Sequence, residues 1–217
     1  VTWSYSALQA FETCPWRYYL TRISRQAKES QTAATLEGNA VHKALELHVS
    51  GRQSLPDKYK QWLPLVERIK KEPGRIEAEV QFGLTPQFTP TTFFAKDVWL
   101  RGKFDVRITH DKRSTILDWK TGKPKPDIDQ LKLFAAVEFK LNPYIEVVQT
   151  GYVWLHSRAI DREVFVRDQS SELWKDFVVR VRRLEHAMEK NAFPKRPSGL
   201  CRQYCPVGKQ LCEHCGS

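Results

Sequence analysis

The sequence has no apolar run near the roughly 20 residues needed to cross a bilayer. With 28% charged residues and a mean hydropathy of -0.52, that excludes a transmembrane protein. It also lacks internal repeats, low-complexity blocks and any stretch with the composition of a long linker. Its 217 residues therefore read as one globular domain spanning 1–217 with a sizeable core. No signal peptide is visible, and a secreted disulfide framework does not suit a chain this large. The chain opens at Val1 without an initiator methionine, which leaves a removed leader open. Acidic residues are in deficit: 25 Asp and Glu against 35 Lys and Arg give a net charge of +10. Such an excess is a common footprint of contact with an anionic polymer, although solubility alone also accounts for it. The basic residues are spread along the chain instead of gathering on one amphipathic segment, which argues against a membrane surface. Aromatic residues are not lacking. Seven Trp, seven Tyr and eleven Phe supply far more buriable surface than a disordered chain carries.

The apolar periodicity changes along the chain. Ser6-Ala7-Leu8-Gln9 reads as a capping box opening a helix to about Leu20, with Pro15 placing Cys14 near an irregularity. A second helix is expected over 32–49, ending before Gly51, with Val41, Leu45 and Val49 on one stripe and Gly38 and His42 one turn apart. Residues 57–72 have helical composition interrupted by Pro64. From Ile76 to Phe82 the period becomes two, with Glu77, Glu79 and Gln81 on one face. Further strands are expected over 98–108, 115–119, 145–155 and 163–166, with helices over 128–141 and 171–190. This order suits an α/β (α+β) fold with a central mixed sheet flanked by helices.

The residues that carry chemistry concentrate between His42 and Gln130. Asp118 and Lys120 end a strand on the same face while Trp119 points to the other. Pairing through the short connection at Asp111 would set Asp105 opposite Asp118. Two carboxylates converging on one point repel unless a cation lies between them, and hard oxygen ligands suit Mg²⁺ or Mn²⁺. Such a cation lowers the pKa of bound water and polarises a phosphoryl oxygen, while Lys120 offsets developing charge. Glu79 could add an oxygen and His42 a nitrogen. Taken singly, each residue also has a plain structural explanation.

In order along the chain, Gly38-x-x-x-His42, Glu79, Gly102-x-x-Asp105, Asp118-Trp119-Lys120-Thr121-Gly122 and Gln130-Leu131-Lys132-Leu133-Phe134 resemble the motif series of the RecB-like branch of the PD-(D/E)XK nuclease superfamily. The opening Ser6-x-Leu8-x-x-Phe11-x-x-Cys14-Pro15 is similar to that branch's start, so the resemblance spans nearly the whole chain. It implies a restriction-endonuclease-like core. His42, Asp105 and Asp118 would ligate the metal, helped by the backbone carbonyl of Trp119. Lys120 would be the catalytic lysine, and Gln130 would lie beside the site. Glu79 is the further acidic member, with Glu77 at the same strand parity. Phe134 stands where the family usually has tyrosine. The activity implied is Mg²⁺- or Mn²⁺-dependent DNA hydrolysis, from an end more than internally, in recombination, repair or phage replication. A cytoplasmic enzyme of a bacterium or phage-infected cell is expected, with protein partners of a recombination or replication complex open to it.

Five cysteines are placed lopsidedly: Cys14 near the start, and Cys201, Cys205, Cys212 and Cys215 at the end. Thiolates at such spacing bind soft metals. The resemblance implies a 4Fe-4S cluster held by Cys14, Cys201, Cys205 and Cys212, tying the first helix to a tail over 193–217. The family's usual spacing is x2 then x5; here it is x3 then x6, with Cys215 a spare or the true fourth ligand. Zinc on the four tail cysteines and unliganded thiols are the alternatives. Lys123, Lys125, Arg101 and Lys103 are expected to meet DNA, joined by Arg22, Arg25 and Lys28. Arg180, Arg182 and Arg183 read as a solvated helix face. The competing function is a non-catalytic nucleic-acid-binding module stapled by a metal.

Overall fold

The computed structural model describes residues 1–29, 31–124 and 127–216. In chain order its elements are α1 (Tyr5–Thr13), α2 (Pro15–Tyr18), a π-helical turn (Tyr19–Ile23), α3 (Ala33–Val49), a 3₁₀ segment (Asp57–Trp62) and α4 (Leu63–Lys70). There follow β1 (Arg75–Leu84), β2 (Pro90–Thr91), β3 (Leu100–His110), β4 (Arg113–Lys120), α5 (Asp129–Leu141), β5 (Val147–Trp154) and β6 (Ala159–Val166). A 3₁₀ turn (Arg167–Gln169), α6 (Ser170–Glu189) and α7 (Cys201–Tyr204) complete the chain. Among the described residues, no helix is long and apolar enough to cross a membrane.

The chain forms two compact units, one of residues 33–176 and one of residues 1–32 with 177–217. The first holds a six-stranded mixed sheet in the order β2-β1-β3-β4-β5-β6. Only β4 and β5 run parallel, and parallel neighbours need a crossover. α5 supplies it and so brings its first turn back to the carboxyl end of β4. On one face, Val41 and Leu45 of α3, Tyr59, Trp62 and Val66 pack over Val106, Ile108, Leu117, Trp119 and Val153. On the other, Phe134 of α5 meets Phe104 edge-on with ring centroids 5.1 Å apart, and Leu131 packs with Tyr152 and Trp154. The expected mixed sheet with flanking helices is therefore present. Pro64 does not interrupt a helix as the sequence predicts; it lies in the first turn of α4, after a 3₁₀ lead-in, where a missing N–H costs nothing.

The period-two pattern predicted for β1 breaks inside the strand. Ile76 and Ala78 pack under α3 and α4, yet Phe82 meets Phe104 and Phe134 on the α5 side. On β3, Val106 and Ile108 lie under α3 and α4 while Phe104 lies under α5. The alternation thus slips by one between these sets on both strands. The slip falls at Glu79, whose φ of 53° is left-handed, and at Asp105, the position facing it in the register. Gly102 accommodates the rotated ring: a Cβ there would lie 2.5 Å from Phe82 Cζ.

The second unit joins both chain ends. Ser4, not Ser6, caps α1, accepting the Ala7 N–H at 3.3 Å. Cys14 leaves the helix at φ −161°, ψ 107° before Pro15 opens α2. The aromatic cluster stacks Trp16 on Tyr19 at 5.5 Å and Tyr19 on Phe193 at 4.8 Å. Trp16 Nε1 donates to the Leu211 carbonyl at 3.0 Å, and Arg196 donates to the Glu12 carbonyl. Arg180 is not a solvated residue: its Nε and Nη2 each donate to the Glu12 carboxylate at 2.7 Å.

Candidate active site and cysteine cavity

The acidic centre lies where β3 and β4 part. Their ladder runs to Val106↔Leu117, and the same register continued sets Asp105 opposite Asp118. Beyond that point Asp105 Oδ2 accepts the Trp119 N–H at 2.8 Å, so a carboxylate replaces the strand partner's carbonyl. β4 keeps its pairing with β5 through Lys120↔Trp154. β3 stays paired with β1 on either side of Asp105 and β4 with β5, so both arms of the fork are held by the sheet.

Around this fork the expected residues converge. Lys120 Nζ donates to Gln130 Oε1 at 2.9 Å, and Gln130 Nε2 donates to Asp118 Oδ1 at 3.0 Å. Lys120 Nζ is also 2.7 Å from Asp118 Oδ2, an ion pair. His42 Nδ1 lies 3.2 Å from Asp105 Oδ2. One turn earlier, a Cβ on Gly38 would come 3.4 Å from Thr121 Oγ1, so α3 lies close against the segment leaving β4. Trp119 itself is core, 1% exposed.

The charges strain against one another. Burial first, and then the charge of Asp105, push the Asp118 carboxyl up to about 6, against the pull of Lys120 and His42. At His42, burial disfavours the imidazolium, but the carboxylates of Asp105 and Asp118 outweigh it and raise the pKa. Two hard carboxylates and a nearby imidazole form a donor set that fits a divalent cation. Among the described residues no three His, Cys, Asp or Glu side chains already converge as a cation site; the Lys120 ammonium sits on Asp118 and His42 on Asp105.

Other expected residues lie elsewhere. Glu79 gives its carboxylate to Lys103 Nζ at 2.9 Å, so these two engage each other. Arg101 covers the Phe93 ring at 5.1 Å, Lys123 is exposed, and Lys125 lies outside the described residues. Arg22 has a carboxylate neighbour, Glu29, at 3.7 Å. Phe134 lies 4% exposed in an aromatic cluster. Sequence reasoning missed Tyr152. It is the β5 register partner of Asp118, and its ring lies 4.8 Å beneath the Lys120 ammonium. Only knowledge that β5 pairs in parallel with β4 would have found it.

In the other unit all five cysteines line one cavity of about 80 Å³, together with Arg17, Lys195, Arg196 and His214. Cys205, Cys212 and Cys215 are neighbours; burial and then these thiols push Cys215 up to about 12. Cys201 Sγ accepts the Ser198 N–H at 3.2 Å. No three of these thiols converge as a single-ion site among the described residues.

A family model, the PD-(D/E)XK nuclease superfamily, matches residues 2–213. Among solved structures, a candidate exonuclease from Eubacterium rectale shares 13% identity with a TM-score of 0.56, over 94% of this chain and 86% of that one. At that identity the likeness is one of fold. A second structure, SSO0001, shares 15% identity over 82% of this chain and 75% of its own, with a TM-score of 0.43. No curated protein matches the chain.

Proposed function

The chain belongs to the PD-(D/E)XK nuclease superfamily, whose members act on DNA and typically use Mg²⁺ or Mn²⁺, and we propose that it is a metal-dependent DNA exonuclease of recombination, repair or phage replication. The matched residues run through both units, and we take the chain as one nuclease domain. The observation that carries the reading is the closed set of contacts among Asp118, Lys120 and Gln130 beside Asp105 and His42. Asp105 and Asp118 would hold the cation, with His42 and the Trp119 carbonyl. When bound it would lower the pKa of a water and polarise the phosphodiester.

The chain's own groups do the positioning. Gln130 accepts from Lys120 while donating to Asp118, which fixes the ammonium beside the carboxylate. The Tyr152 ring supports it from below. Lys120 then faces charge developing on the phosphate oxygens without reorganising. Glu79, through Lys103, joins the strand that leads DNA to the centre, and Arg101, Lys103, Lys123 and Lys125 are assigned to its phosphates. The E. rectale fold neighbour, described as a candidate exonuclease, supports cutting from an end.

The test is cleavage of end-labelled linear and covalently closed circular DNA with Mg²⁺, Mn²⁺ or EDTA. Linear DNA should be degraded with either metal, circular DNA spared, and both Asp118→Ala and Lys120→Ala inactive. A protein that binds DNA but never cuts it under either metal refutes the enzyme and leaves the binding module.

The cysteine cavity is further assigned a 4Fe-4S cluster on Cys14, Cys201, Cys205 and Cys212. Thiolates from the first helix and the tail lining one cavity suit such a cluster. The basic side chains of Arg17, Lys195 and Arg196 lining the cavity would offset its negative charge. Broad visible absorption and bound iron in anaerobically purified protein are expected; a colourless, zinc-bearing sample refutes it.

A further inference from the structure

β2 and β3 are joined by a loop whose tip carries Phe93 and Phe94 in succession. Phe94 is 77% exposed, more than any other large apolar side chain among the described residues. A single exposed hydrophobe is ordinary, but this one is built into its surroundings. Its ring meets that of Phe93 at 4.8 Å, nearly edge-on at 73°, and the Arg101 guanidinium lies over Phe93 at 5.1 Å. Two turns brace the loop, Ala95 N–H to Thr92 O at 3.1 Å and Val98 N–H to Ala95 O at 3.3 Å. Thr91 Oγ1 donates to Asp97 Oδ1 at 3.2 Å. A Cβ on Gly83 would lie 2.7 Å from Thr92 O, so β1 carries a glycine where the loop backbone closes on it. The exposed ring therefore belongs to a held conformation.

The neighbouring charges are those a polyanion needs. Lys96, two residues after Phe94, is exposed, and Arg101 and Lys103 follow along β3 toward Asp105. Two carboxylates lie nearby, Asp97, which accepts from the Thr91 hydroxyl, and Glu79, paired with Lys103, so Lys96 and Arg101 carry the excess positive charge. Arg101 precedes Asp105 by four residues, about 13 Å of strand at its usual rise.

We propose that Phe94, backed by Phe93 and Arg101, is a stacking platform for an unpaired base of single-stranded DNA whose phosphates follow Arg101 and Lys103 to the acidic centre. The inference rests on the nuclease reading above and deepens it by naming the form of substrate. An aromatic face takes any base whose own face is free, whereas bases inside a duplex are already covered by their neighbours.

The experiment measures binding of a labelled oligothymidylate and of a relaxed, covalently closed circular duplex, in EDTA, by full-length protein and by Phe94→Ala and Phe94→Trp. Phe94→Ala should weaken single-strand binding by about five-fold or more, with the slope against salt unchanged, because a stacking contact and no phosphate contact is lost. Phe94→Trp should restore it, and the closed circular duplex should not register either change. Wild-type affinity of Phe94→Ala for single strands, or equal losses on both DNAs, overturns the platform. So does an unchanged affinity with an altered oligomeric state by sedimentation, which would make Phe94 a protein contact. If the intact protein cuts DNA while Phe94→Ala behaves as wild type, only the platform falls. If the intact protein neither binds nor cuts DNA, the nuclease reading itself is overturned.

Discussion

With chelator present near pH 8, Asp118→Asn is expected to make the protein more stable while ending cleavage. Asp118 is 6% exposed, and burial together with Asp105 lifts its carboxyl from 3.8 to about 6. The folded protein thus holds this proton more tightly than the unfolded chain, so stability falls as pH rises through that interval and stays lower above it. A rise of that size corresponds to about 3 kcal/mol. Asparagine removes the charge and keeps the shape; its oxygen still accepts from Gln130, but its NH2 then faces the Lys120 ammonium in place of the carboxylate oxygen, which offsets part of the gain. With that figure as a ceiling and about 2–4 °C per kcal/mol for a chain of this length, the melting temperature should rise near pH 8 by less than about 12 °C, and hardly at all near pH 4. Thermal unfolding in EDTA at both pH values measures this directly. Mg²⁺ should then raise the melting temperature of the wild type, because it binds only the folded state, and leave the variant unmoved. The reasoning is refuted if the variant is no more stable than the wild type near pH 8, or gains equally near pH 4.

Gln130→Ala removes the bridge between Lys120 and Asp118. Steady-state kinetics should show kcat lower by about 10²-fold with KM little changed, the signature of a misplaced catalytic group. Gly102→Ala places a methyl 2.5 Å from Phe82 Cζ, in a ring confined by Phe104 at 4.7 Å. Overpacking of about 1–3 kcal/mol should appear as a lower denaturation midpoint, partly recovered by adding Phe82→Leu. Glu138 is fully buried on α5, and its pKa is raised by burial in spite of Arg107. Its contribution to stability therefore declines as pH climbs through and above the carboxylate range, and denaturant titrations across pH should find Glu138→Gln flatter there than the wild type.

The sheet was legible because alternation reports burial directly: Leu117 and Trp119 inward under α3, Asp118 and Lys120 toward α5. Pro15 likewise announced the break at Cys14 through chemistry that requires no tertiary context. Glu79 shows where such reading stops. Its alternation with Glu77 is regular in sequence, but its left-handed backbone answers to the packing of Phe82 and Phe104 on the far face, which no local pattern encodes. Arg180 carries the same charge as Arg182 and Arg183, and only the approach of α1 distinguishes it, by bringing Glu12 within reach. Tyr152 escaped notice because parallel pairing is set across the whole of α5. Ser4 and Ser6 are both competent caps, and the choice between them rests on packing further along the helix.

The unit made of both chain ends also constrains the order in which the protein can form. Its distant partners for Trp16, Tyr19 and Glu12 are Leu211, Phe193, Arg180 and Arg196, so during synthesis the first segment emerges long before these. Residues 33–176 are contiguous and carry the sheet, whose pairings are all internal to them. Closing the two ends across so long an unstructured segment costs entropy that grows with its length. The sheet therefore has the ordering advantage, and the aromatic face of α2 stays uncovered until Phe193 and Leu211 have been made.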